Sequence, residues 1–66
     1  MFKMNQRKWK KIPGSFGYSY KSVVNDDVMI VKEYSTWNVM WKAKQKIFSN
    51  LRNASNYAQG IIDAIS

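Results

Sequence analysis

Cysteine and histidine are both absent from this 66-residue chain. Their absence excludes disulfide staples, a thiolate nucleophile, a Cys/His zinc site and an imidazole general base. Acids are scarce as well: Asp26, Asp27, Glu33 and Asp63 stand against 11 Lys and Arg. A carboxylate pair for acid–base work needs two such groups facing one cleft, and a chain this short offers little room for one. The adjacent Asp26-Asp27 reads as turn chemistry, because two carboxylates without further oxygen ligands make a poor hard-cation site. The serines have no histidine partner, and no glycine-rich phosphate loop is present. A non-enzymatic protein without cofactor or metal is expected. No apolar run has the length needed to span a bilayer. The opening segment has no uninterrupted apolar core after its charges, so it does not read as a secretory signal and a cytoplasmic location is expected.

What the chain does have is aromatic bulk and positive charge. Three Trp, four Tyr and three Phe supply large rings. Such a short chain buries only about 60% of the surface its unfolded form exposes, and ring area compensates for the small core. The net charge is +7, which favours polyanionic partners. That charge falls into two blocks. Residues 1–11 hold Lys3, Arg7, Lys8, Lys10 and Lys11 and no acid. Residues 41–52 hold Lys42, Lys44, Lys46 and Arg52, again without an acid. The stretch between them and the C-terminal stretch each sum to −1.

Pro13-Gly14-Ser15-Phe16-Gly17 follows the first block. Proline fixes its own φ and glycine permits positive φ, so this cluster reads as a hinge between a basic flexible arm, 1–11, and a single domain, 12–66. Residues 18–24 and 28–34 are rich in β-branched and aromatic side chains, and Asn25-Asp26-Asp27 between them favours a tight turn. An antiparallel hairpin is predicted there. Leu51, Ala54, Ala58, Ile61 and Ile65 form one apolar stripe at helical spacing, with Ser49 or Asn50 as N-cap. A helix from Leu51 to Ile65 is about 22 Å long, enough to lie across a small sheet.

Residues 36–48, TWNVMWKAKQKIF, fit two patterns. A strand puts Trp37, Val39, Trp41 and Ala43 on one face and Asn38, Met40, Lys42 and Lys44 on the other, burying Trp41 and exposing a row of lysines continued by Lys46. A helix carries the C-terminal stripe backward from about Thr36. The strand is preferred, because an isolated hairpin is marginal and a third strand gives the helix a surface to cover. The expected fold is α+β: a three-stranded antiparallel meander packed on one C-terminal helix. The alternative is a β-hairpin with one long C-terminal helix from about residue 36.

Two functional classes follow. The first is a nucleic-acid-binding accessory protein, with DNA preferred to RNA. Lys3, Arg7, Lys8, Lys10, Lys11, Lys42, Lys44, Lys46 and Arg52 would neutralise phosphates, and Trp9 would either stack on a base or anchor the arm to the core. Tyr18 and Tyr20 share one sheet face and fit either a base platform or the core. The second is an interaction module or inhibitor that docks its basic surface on an acidic protein. Oligomeric state is not readable. The plan of arm, three strands and helix resembles small DNA-binding modules that lay a three-stranded sheet in the major groove, such as the arm-binding domains of tyrosine recombinases. That resemblance is one of topology and carries no site residues. Compact, cysteine-free basic chains are also typical of small phage and mobile-element accessory proteins, by analogy.

Overall fold

The computed structural model describes residues 2–65. Met1 and Ser66, the ends of the expected arm and domain, lie outside the described residues. Five strands and one helix follow in order: β1 (Trp9–Gly14), β2 (Gly17–Ser22), β3 (Val28–Glu33), β4 (Thr36–Trp41), β5 (Lys44–Phe48) and α1 (Leu51–Ile65). The strands form one antiparallel meander in the order β1-β2-β3-β4-β5. The α+β class stands, but the sheet has five strands, not three. The two additional strands are the edges, and both lie in the lysine-bearing segments. Edge positions tolerate residues of low β propensity, including Pro13 in β1.

The joints explain the difference. Gly14 pairs with Gly17, so Ser15-Phe16 is a two-residue hairpin turn and the glycine cluster is no hinge. Gly17 has a φ of +122°, a conformation open to glycine. Trp41 pairs with Lys44, so Lys42-Ala43 is a second two-residue turn. It ends the long strand expected over 36–48 and also rules out a helix from residue 36. Lys42, at φ 55°, occupies the left-handed region without the usual Asn or Gly. The β2–β3 joint is held by side chains. Ser22 Oγ accepts hydrogen bonds from the backbone N–H of Val24 at 3.2 Å and of Asn25 at 3.0 Å. Asn25 Oδ1 accepts one from the Asp27 N–H at 3.0 Å. Asn50 caps the helix, its Oδ1 accepting from the Asn53 N–H at 2.9 Å.

Cross-strand partners share a face, so the registers divide the sheet into two surfaces. On one face lie Trp9, Lys11 and Pro13 of β1; Tyr18, Tyr20 and Ser22 of β2; Val28, Ile30 and Lys32 of β3; Trp37, Val39 and Trp41 of β4; and Lys44, Lys46 and Phe48 of β5. The helix packs on this face against β3, β4 and β5. Its stripe of Ala54, Ala58 and Ile62 meets Val28, Ile30 and Val39 in the core. Alanines at the contact let the backbone of the helix approach the sheet closely. Met4 and Trp9 complete the buried cluster, and Phe2 packs against it. Residues 9–11, read as part of a flexible arm, therefore belong to β1, and the segment before them contributes to the core. Trp41 is half-buried rather than buried, beside an exposed Lys42.

Candidate nucleic-acid interface

The two basic blocks lie mainly at opposite edges of the sheet. Four inter-strand steps separate β1 from β5, roughly 19 Å. Lys3 lines a cleft of about 280 Å³ with Lys11, Gln6, Trp9 and Tyr20. Arg7 and Lys8 lie in a turn organised by Asn5. The Asn5 carbonyl accepts from the Lys8 and Trp9 N–H groups at 3.0 and 2.9 Å, and Asn5 Oδ1 accepts from the Arg7 N–H at 2.9 Å. Lys10 lies on the helix-free face, directly opposite Lys21 of β2. Lys11 lies on the other face, with its Nζ 3.9 Å from the centre of the Tyr18 ring.

At the far edge, Lys42 occupies the turn and its Nζ stands 5.2 Å from the Trp41 ring. Lys44 and Lys46 share a face with Trp37, Val39 and Trp41, contrary to the expected separation of lysines from tryptophans. Trp41 and Lys44 are three positions apart. In a continuous strand that spacing puts them on opposite faces; across a two-residue turn it puts them on the same one. Lys46 Nζ lies 5.2 Å from the Tyr57 ring of the helix. Arg52 lies in the first helical turn, where no acid is present, and its guanidinium is 5.9 Å from the Phe2 ring. Phe2 lines the same cleft as Lys3, so Arg52 joins the β1 block in space.

Among the described residues no Lys or Arg forms an ion pair with an acid. All nine cations expected at the interface are exposed. Trp9 is the exception among the candidate residues. At 3% exposure it is a core anchor and presents no ring face to a base. Lys21 and Lys32 belong to the stretch between the two blocks that sums to −1 along the chain. Lys32 occupies the next same-face position after Val28 and Ile30, with its Nζ 4.7 Å from the Trp37 ring. Period-two alternation already places Lys32 on that face. Only the position of the helix shows that the site is left open.

Among the described residues no group of three acidic side chains is placed to hold a metal ion. No helix is long and apolar enough to cross a membrane. Comparisons with protein-family models, curated proteins and solved structures find no match.

Proposed function

We propose that this chain is a non-enzymatic nucleic-acid-binding protein, with DNA as the preferred polymer. The observation that carries the reading is Lys10 set directly opposite Lys21 with no acid to pair either one. Like charges facing each other across two strands oppose pairing. Arg52 in the first turn of α1 likewise opposes the helix dipole. These arrangements work against the free fold and are relieved when a polyanion sits on them. Exposed cations at both edges extend the same field over the molecule.

The test is binding to duplex and single-stranded oligonucleotides over a range of salt concentrations. Affinity should fall linearly on a log–log plot as condensed counterions are released. Replacing Lys10 and Lys21 together by Gln should lower the duplex slope by about 1.8. Sequence preference should be weak, since phosphate contacts position a protein without reading bases. No binding to either form at low salt rejects the reading. A partner protein that stays bound after nuclease treatment would instead favour docking on an acidic protein.

A further inference from the structure

The helix covers β3, β4 and β5, while the part of the same face near the Ser15-Phe16 turn carries half-exposed rings and lysines. Tyr18 is 48% exposed. Tyr20 and Trp37 are half-buried, 6.3 Å apart between ring centres. Each end of this row is covered by an ammonium group: Lys11 over Tyr18 and Lys32 over Trp37. Gly17 lies beside the Lys32 stem.

We propose that this row binds single-stranded nucleic acid by exchange, with unpaired bases displacing the two ammonium groups from the Tyr18 and Trp37 rings. The displaced Lys11 and Lys32 then take the phosphates of the same strand. The proposal rests on the nucleic-acid reading above and adds the form of the polymer. Three considerations carry it. At Tyr18, where ring and Lys11 are both exposed, the ammonium–ring contact is weaker than a base stacked on the ring, so the exchange runs toward the bound state from that end. The lysine is not lost in the exchange, because its stem is long enough to leave the ring and reach a phosphate. Paired bases in a duplex are stacked on one another and cannot offer a face, so the row selects unpaired ones. The cleft holding Lys3 and Lys11 continues the row past Tyr20 toward Phe2, giving the strand a basic path to follow.

The test uses the full chain and three labelled probes: a short oligothymidylate, an abasic strand of equal length and a duplex. Fluorescence anisotropy reads affinity. The thymidylate should bind at least ~10-fold more tightly than the abasic strand, which offers the same phosphates without bases. Tyr18→Ala should weaken thymidylate binding ~5-fold or more and leave the abasic strand unchanged. Tyr18→Phe should restore it. Tyr18 is chosen over Trp37 because its exposure spares the fold. Lys11→Gln should lower the single-strand salt slope by about 0.7, as expected of an ammonium that neutralises one phosphate. Equal affinity for thymidylate and abasic strands overturns the stacking proposal and leaves nucleic-acid binding standing. An unchanged slope in Lys11→Gln overturns the exchange. Failure of all three probes at low salt overturns both this inference and the function beneath it.

Discussion

The two halves of the sheet are built alike and finished differently. In both, alternate residues project to the helix side. On β3 and β4 that side carries Val28, Ile30 and Val39, each at most 1% exposed beneath Ala54, Ala58 and Ile62. On β1 and β2 it carries Lys11, Tyr18 and Tyr20, and only the paired Trp9 and Ser22 at the far end of the two strands are buried. The helix is long enough to cross the sheet, yet it packs on β3, β4 and β5. The other half has only the short segment around Phe2 and Met4 as cover, and a cleft remains between that segment and the strands. Burial is thus denser on one side of the molecule. The other side keeps apolar rings and cations in reach of solvent, where burial contributes less and binding surfaces are found.

The comparison breaks first at Trp9, which ties the open half to the covered one. It is the largest buried side chain of β1 and joins the same cluster as Val28. Trp9→Ala should cost about 3–5 kcal/mol, near the whole stability of so small a domain. Urea titration followed by far-UV circular dichroism and by tryptophan fluorescence should give one coincident transition at much lower denaturant. Two separate transitions would instead show that β1–β2 unfolds independently of β3–β5.

A smaller effect is expected at the seam between the halves. Ser22 is buried at the end of β2 and satisfies two backbone donors of the loop leading to β3. Ser22→Ala leaves those donors without their acceptor and should cost about 1–3 kcal/mol. Hydrogen exchange at the Val24 and Asn25 amides should accelerate more than at the strand amides. On the covered side, Asn50→Ala removes the helix cap and should cost about 1 kcal/mol, read as a lower urea midpoint at unchanged m-value. Restoration by Asn50→Asp would assign the loss to the cap itself.

The middle of the fold, β2 to β4 with the helix, was more legible in the sequence than either edge, for physical reasons. Its apolar residues recur at the periods of strand and helix, and Asn25 and Asn50 mark two of its joints with side chains that accept hydrogen bonds from backbone. The open half hides its strand because Lys10, Lys11 and Pro13 depress β propensity and pairing with β2 overrides it. The turn at Lys42-Ala43 was invisible because a lysine there adopts a conformation usually left to glycine or asparagine. That one missed turn also reversed the face assigned to Lys44 and Lys46. The positive charge of the candidate interface was legible from counting. Its partners were not, because the contact of Lys32 with Trp37 and the opposition of Lys10 and Lys21 depend on register.

The smallest stability change separates binding from folding most cleanly. Lys10 faces Lys21 across the outer pair of strands, in the half where neither lysine has an acidic partner. Lys10→Glu converts that repulsion into attraction and should raise stability by about 0.2–1 kcal/mol, seen as a modest rise in the urea midpoint. The same change removes one cation and adds an anion where a phosphate would sit, so affinity for nucleic acid should fall. Stability and affinity then move in opposite directions from one substitution. If Lys10 only kept the chain soluble, stability would rise with affinity unchanged, and the repulsive pair would need another explanation. If both fell together, Lys10 would be supporting the fold through a contact other than its charge. A double change, Lys10→Glu with Lys21→Glu, restores like-charge repulsion with the opposite sign. It should return stability toward the starting value while lowering affinity further, which ties the first effect to the pair and the second to the total charge.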